Sequence, residues 1–178
     1  MDQQRTDGIA IRRAVGADLG FIVETERIPE HAGLIGRWSA ERHTASMTSD
    51  DFAYLIALEE GRPAGFAILR DLADPHGNVG LQRVAMVEPG RGRGRAFLSA
   101  VLDWTFAQTP CHRLCLEVFT DNARARRVYR SLGFVEEGVL RQVVRRPDGR
   151  RADQFLMSIL RPEWSNRTRP TFLDPAVR

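Results

Sequence analysis

A turn rich in glycine and arginine offers the clearest chemistry in this sequence, the binding of an anion. It occupies residues 88–96 and reads Glu-Pro-Gly-Arg-Gly-Arg-Gly-Arg-Ala. An apolar strand-like run at 84–87 precedes it, and apolar residues at helical spacing follow it to Phe106. Glycines allow a backbone to approach a ligand closely, and the first N–H groups of a helix lack intrahelical partners. The helix dipole adds positive charge there, so the stretch is predicted to bind phosphate.

Two common phosphate-binding patterns do not fit this turn. A P-loop needs a lysine after its second glycine, and the chain contains no lysine. The dinucleotide pattern G-x-G-x-x-G fails because neither Gly90 nor Gly92 is followed by glycine five residues later. The pattern that fits is R-x-x-G-x-A, formed by Arg91, Gly94 and Ala96. An exposed loop that binds nothing in particular is the open alternative.

The rest of the chain reads as one mixed unit that would position this turn. Strands are predicted at 8–15, 52–58, 64–72, 79–87, 112–119, 134–144 and 152–160. Helices are predicted at 17–27, 40–47, 97–106 and 123–132, and His43 on the second is expected at the surface. This order is typical of a mixed sheet with helices packed on its faces. We expect a single domain at 1–160 and an extended C-terminal tail at 161–178.

Composition restricts the chemistry and the location. The chain has 178 residues, which suits one core, and all 26 of its basic residues are arginine, so lysine Schiff-base chemistry is excluded. Cys111 and Cys115 would lie about 13 Å apart on one strand, too far for a disulfide. We expect no metal site and no membrane span. The first residues lack the apolar region of a signal peptide, so the cytoplasm is the expected location.

A second group of residues follows the predicted fifth strand in a recognisable order. It consists of Leu116, Glu117, Val118, Asn122, Ala125, Tyr129, Leu132, Gly133, Phe134, Glu137, Gly138, Leu140 and Arg141. Together with R-x-x-G-x-A, this group resembles the GNAT family, the Gcn5-related N-acetyltransferases. Within that family it is similar to the ribosomal-protein alanine N-acetyltransferase and spermidine acetyltransferase-like branches. The resemblance covers residues 9–160, and its specific part is 84–160.

The resemblance implies a fold and a co-substrate. The fold is of class α/β (α+β): a strongly twisted mixed sheet of about seven strands, with helices on both faces and strands four and five splayed apart. Acetyl-CoA would be the co-substrate, with its pantetheine arm in the splay and its pyrophosphate on the turn. The residues implied to hold it are Ala85, Met86, Val87, Arg91, Gly92, Arg93, Gly94, Arg95, Ala96 and Asn122.

Transfer of an acetyl group to a primary amine requires a base for the ammonium, a donor for the oxyanion and an acid for the leaving thiolate. Glu117 and Tyr129 are twelve residues apart, as are the base and acid of the alanine N-acetyltransferase branch. We expect these roles for them and expect the Val87 N–H to be the oxyanion donor. Two alternatives stay open: Glu117 as a strand carboxylate paired with an arginine, and Tyr129 as a core residue bonded to a backbone group.

Candidates for contact with the amine acceptor lie around the end of the first helix. They are Glu24, Glu26, Glu30, His31 and Trp38. If the glutamates faced the cleft, they would form an acidic wall that favours a cationic acceptor. The alternatives are solvated surface charges and, for Trp38, packing in the core. The acceptor class therefore stays open between a protein N-terminus, a polyamine and another small amine.

Two other functions compete with catalysis. A non-catalytic acyl-CoA-binding module would retain the glycine- and arginine-rich turn and Asn122 but would not catalyse acetyl transfer. A ribosome- or RNA-associated protein would use two clusters of arginine, namely Arg124, Arg126, Arg127 and Arg130 and those at 145–151. The net charge of only +3 argues against nucleic acid as a partner. A homodimer is a further expectation, because many GNAT proteins are dimers.

Overall fold

The chain folds as one mixed sheet with helices on both faces, and the computed structural model describes residues 4–6, 9–88 and 92–167. The strands are β1 (Gln4–Thr6), β2 (Ile9–Arg13), β3 (Ala53–Glu59), β4 (Arg62–Arg70), β5 (Asn78–Met86), β6 (Arg113–Phe119), β7 (Val135–Arg145) and β8 (Arg151–Leu160). The α-helices are α1 (Leu19–Glu26), α2 (Ala40–Met47), α3 (Arg93–Gln108), α4 (Ala123–Ser131) and α5 (Arg161–Arg167). The strand order is β1-β2-β3-β4-β5-β6-β8-β7. The predicted fold class is confirmed, with one short strand, β1, beyond the expected seven.

The predicted splay is present between β5 and β6. β5 pairs antiparallel with β4 from Arg70↔Gly80 to Gly65↔Met86. Its parallel pairing with β6 covers only three pairs and ends at Gly80↔Cys115. β6 continues beside β8 instead, as far as Phe119. Past Gly80 the two strands therefore part, and a gap opens in the middle of the sheet.

Apolar side chains fill both faces of the sheet. On one face, α3 buries the residues predicted from its spacing: Phe97, Leu98, Val101, Leu102 and Phe106 are at most 5% exposed. α1 and α2 cover the opposite face, where Ile22 packs with Phe66 and Ile68. Within the described ranges, no helix is long and apolar enough to cross a membrane.

The C-terminal segment differs from the expectation of an extended tail. Its first part, Arg161–Arg167, is helix α5, and residues 168–178 lie outside the described residues. The Arg161 guanidinium donates to the carbonyls of Phe106, Thr109 and Cys111 at 2.7–2.9 Å. Trp164 stacks on Phe106 with 5.2 Å between ring centroids and donates to Asp103. The sequence showed little periodicity here because these contacts, rather than an apolar face, hold the helix against α3.

Candidate active site

A cavity of about 1160 Å³ opens in the splay between β5 and β6. We divide its lining by the face of the sheet. The α3 half includes Gly92, Gly94, Arg95, Leu116, Asn122 and Tyr129. The loop half, on the α1 and α2 face, includes residues 30–37, which join α1 to α2, and Arg70, Arg83, Glu117 and Gln154. Leu116 and Glu117 fall in different halves because successive residues of a strand face opposite sides. The cavity thus passes through the sheet.

The start of α3 is shaped for a close ligand. Gly92 precedes the helix with φ +74°, a left-handed conformation that glycine adopts without strain. The first N–H groups bonded within the helix are those of Arg95 and Ala96, which donate to the Gly92 carbonyl. The N–H groups of Arg93 and Gly94 have no carbonyl within the helix to which they could donate. The predicted anion-binding geometry is therefore present at the cavity wall.

The remaining arginines of the turn have different positions. Arg93 pairs with Glu59 at 3.0 Å and with Glu88 at 3.3 Å, and it is not part of the cavity lining. Ala96 packs against the core below α3. Arg95 lines the cavity and donates from Nε to Ser131 at 3.2 Å. The predicted Arg91 lies outside the described residues.

Asn122 has two functions that are compatible with each other. Its Oδ1 accepts the Ala125 N–H at 3.1 Å and so caps α4. Its side-chain amide nitrogen forms no hydrogen bond to the described part of the chain, and the residue lines the cavity. An amide in this position can donate to a ligand carbonyl.

Tyr129 reaches the cavity from α4. It is 8% exposed, and its ring meets the Phe134 ring edge-on at 5.7 Å. Its hydroxyl forms no hydrogen bond within the ranges that the structure describes. The backbone hydrogen bond that a core tyrosine would make is therefore absent from those ranges. Burial raises the pKa of Tyr129 to about 12. The hydroxyl consequently stays protonated and can act as a proton donor.

Glu117 lines the same cavity from β6. Its side chain is exposed, and among residues 4–6, 9–88 and 92–167 no arginine forms an ion pair with it. The alternative of a strand carboxylate held by arginine is therefore absent from the described contacts. Glu117 and Tyr129 thus line one cavity, and their roles as base and acid stay predictions.

The backbone of β5 requires one correction. Ala85 and Met86 line the cavity, as predicted. The Val87 N–H, however, donates to the Ala64 carbonyl at 2.8 Å, because pairing with β4 continues one residue beyond the strand. The prediction of Val87 as oxyanion donor is therefore wrong. Neighbouring residues of an antiparallel strand direct their N–H groups to opposite sides, which points the Met86 N–H toward the splay.

Only two of the five candidates for acceptor contact line the cavity. Glu30 is exposed in the loop half, and His31 is buried there. His31 Nε2 lies 2.9 Å from the Met86 carbonyl oxygen, so it fixes the α1–α2 loop to the end of β5. Glu24 is exposed on α1, away from the lining.

Glu26 and Trp38 lie behind the wall of the loop half. Glu26 is 1% exposed and forms a buried ion pair with Arg83. It also accepts the Trp38 N–H at 3.0 Å and lies 3.2 Å from Nε2 of His43, which is buried rather than at the surface as expected. Burial opposes ionisation of Glu26, but His43, the Trp38 N–H and Arg83 together lower its pKa below the ordinary value. The condition for an acidic wall is thus not met, since Glu24 and Glu26 do not line the cavity and Glu26 balances Arg83.

Comparison with known proteins identifies relatives of this chain. The model of the Acetyltransferase (GNAT) family matches residues 22–134. A spermidine N(1)-acetyltransferase of Vibrio cholerae is 33% identical over 85 residues, which is 48% of this chain and about half (49%) of the relative. An uncharacterized N-acetyltransferase of Bacillus subtilis, YokL, is 24% identical over 124 residues, or 68% of this chain and 67% of that protein.

A solved structure has the same fold at low sequence identity. The spermidine N-acetyltransferase of Vibrio cholerae in complex with CoA and spermine superposes with a TM-score of 0.80 at 21% identity, over 89% of this chain and 99% of that one. In the part of the chain that the structure describes, no group of three or more histidine, cysteine or acidic side chains could hold a metal ion.

Proposed function

The chain belongs to the acetyltransferase (GNAT) family, and we propose that it is an N-acetyltransferase that moves the acetyl group of acetyl-CoA to a primary amine. The observation that carries the proposal is the splay, which joins the anion-binding start of α3 to Tyr129 and Glu117 in one cavity. The catalytic residues and the contacts with acetyl-CoA are part of this proposal.

The α3 half holds the coenzyme. The free N–H groups after Gly92 bind the pyrophosphate, and the pantetheine arm runs into the gap beside Ala85 and Met86. The Asn122 side-chain amide nitrogen donates a hydrogen bond to a carbonyl of that arm. The acetyl group then arrives between Tyr129 in one half and Glu117 in the other.

The reaction is a direct attack in a ternary complex. Glu117, directly or through a water, takes a proton from the ammonium of the acceptor, and the amine nitrogen attacks the thioester carbonyl carbon. The Met86 N–H stabilises the oxyanion. The carbon–sulfur bond then breaks, and Tyr129 donates its proton to the departing thiolate. The attacking nitrogen gives its second proton, through water, to the tyrosinate, which restores Tyr129. The products are the N-acetylated amine, CoA and the proton that Glu117 releases to solvent.

Two measurements on the purified protein test this function. Saturating acetyl-CoA is expected to raise the thermal unfolding midpoint, because a ligand that binds only the folded state stabilises it. Thiol release must then depend on an added amine, in a panel of N-terminal peptides, polyamines and small amines. No stabilisation by acetyl-CoA would contradict the proposal, and binding without transfer would identify a non-catalytic module.

We predict that Glu117→Gln lowers kcat/KM by about 10²-fold and shifts the rise of activity to higher pH, because the amide cannot accept the proton and only amine that has already lost its proton reacts. The measurement is a pH profile of thiol release. Glu24→Gln is the matched control, since Glu24 is exposed outside the cavity. An unchanged rise in the Glu117 variant would assign the base to another group.

RNA binding finds little support in the arginine clusters. Arg126 and Arg130 both pair with Glu136, at 3.0 and 2.8 Å. Arg146 pairs with Asp121 at 2.7 Å. Glu136 and Asp121 therefore balance part of the positive charge of these clusters.

A homo-oligomer is the assembly that we propose. Along β7, at the edge of the sheet, Val135, Val139 and Val143 are 54%, 46% and 45% exposed, and such an edge can pair or pack with another chain. A solved structure of the Vibrio cholerae relative is described as dodecameric; its TM-score is 0.77 at 22% identity over 91% of this chain and 99% of that one. Sedimentation is expected to give a multiple of 20.1 kDa, with dissociation on Val139→Glu. A monomer at working concentration would contradict the proposal.

A further inference from the structure

The loop half of the cavity is lined by more arginines than carboxylates. Its basic residues are Arg37, Arg70, Arg83, Arg145 and Arg146, and its acidic residues are Glu30 and Glu117. Outside the lining, Glu26 balances Arg83, Asp71 balances Arg70 and Asp121 balances Arg146. A polycation would meet few carboxylates here, and one of them, Glu117, already has the proposed role of base.

Arg70 occupies the closed end of the splay. It is the last residue of β4, opposite Gly80, which in turn pairs with Cys115 of β6. A Cβ on Gly80 would come within 3.0 Å of Cγ, Nε and Cζ of Arg70. The Arg70 side chain therefore occupies the space that a side chain at Gly80 would otherwise fill. Glu117 is two residues further along β6 than Cys115, about 7 Å away along the strand.

The hydrogen bonds of Arg70 leave part of its guanidinium without a partner. Nη1 forms an ion pair with Asp71. Nε is buried and has no hydrogen-bond partner within the described residues, and none is formed by Nη2 to them either. A buried N–H without a partner is rare in a folded protein, so a ligand oxygen is the natural candidate to supply one. The Nε and Nη2 edge of a guanidinium matches two oxygens of a carboxylate or phosphate.

We propose that the amine acceptor also carries a carboxylate or phosphate group, and that Arg70 binds this group at the closed end of the splay. The inference rests on the proposed function, because it assumes that the amine lies beside Glu117. Because Arg70 and Glu117 line the same half of the cavity, a short aliphatic spacer would join the amine to the anionic group. The acceptor would then be an amino acid-like or aminoalkyl phosphate compound.

Matched acceptors test this at saturating acetyl-CoA. The series comprises ω-amino acids, aminoalkyl phosphates, the corresponding ω-amino amides and diamines of equal length, with thiol release as the readout. We expect kcat/KM for an acid or a phosphate to exceed that for its amide or diamine by at least tenfold. Whichever series has the higher kcat/KM, the ω-amino acids or the aminoalkyl phosphates, identifies the anionic group.

Variants assign the preference to Arg70. Arg70→Gln is expected to remove the preference, so that an acid or phosphate and its amide give similar kcat/KM, and Gly80→Ala should weaken the preference by displacing the guanidinium. Arg62→Gln is the control, because Arg62 is exposed at the other end of β4. Equal or better transfer to amides or diamines, or a preference retained in Arg70→Gln, would overturn the inference and leave the proposed function intact. Absence of transfer to every amine, including peptides, would overturn both.

Discussion

Tyr129→Phe is expected to lower kcat by about 10²- to 10³-fold, the usual contribution of a positioned general acid. The variant keeps the ring that packs on Phe134 and removes only the hydroxyl. Without that proton donor, sulfur must leave as a thiolate inside a buried cavity. Since no described contact depends on the hydroxyl, folding and the affinity for acetyl-CoA should stay unchanged.

Single-turnover kinetics and calorimetric titration with acetyl-CoA separate these two quantities. Tyr54→Phe is the matched control, because the Tyr54 hydroxyl contacts Nδ1 of His43 at 3.1 Å, beneath α2. That variant should lose stability and retain kcat. Equal kcat in Tyr129→Phe and the wild type would remove Tyr129 from the mechanism.

Glu26→Ala is expected to lower the free energy of unfolding by about 3–5 kcal/mol, because it leaves the buried Arg83 charge without its partner. Arg83 is 5% exposed, and its guanidinium stacks on Trp38 at 4.6 Å. Urea unfolding measures the loss. A double variant, Glu26→Ala with Arg83→Met, should recover much of it, since no unpaired charge then remains. A loss below about 1 kcal/mol in the single variant would contradict a buried, ionised pair.

The same ion pair determines a pH dependence. The pKa of Glu26 is lowered in the folded state, where burial is outweighed by His43, the Trp38 N–H and Arg83. Its contribution to stability is therefore complete above the unfolded-state pKa, about 4.3, and is lost as the pH falls through the lower folded-state value. Unfolding followed between neutral and acidic pH should show the difference between wild type and Glu26→Ala narrowing on acidification. A constant difference would show that Glu26 does not titrate in this way.

Local patterns predicted much of the α3 half of the cavity. The apolar spacing after Gly94 predicted the buried face of α3, and Asn122 was identified as the start of α4. Such features depend on a few neighbouring residues, so the sequence contains them directly. The R-x-x-G-x-A pattern and the group that begins at Leu116 indicated the family together, through their order in the chain, rather than either alone.

The loop half depended on contacts between distant residues. Glu26 and Arg83 are 57 positions apart, and no local pattern indicates that they meet. The Val87 N–H was misassigned because its partner, Ala64, depends on the register of β4. Arg70 was not singled out, since its position matters only once Gly80 and β6 lie beside it.

The contacts of Arg161 also have an electrostatic consequence at the opposite end of α3. The guanidinium donates to the carbonyls of Phe106 and Thr109, at the negative pole of this helix. The first turn of α3 contains no acidic residue that would offset its positive pole in the same way. The field of the helix is therefore balanced where it faces the C-terminal segment and stays unbalanced at Gly92, where the cavity begins.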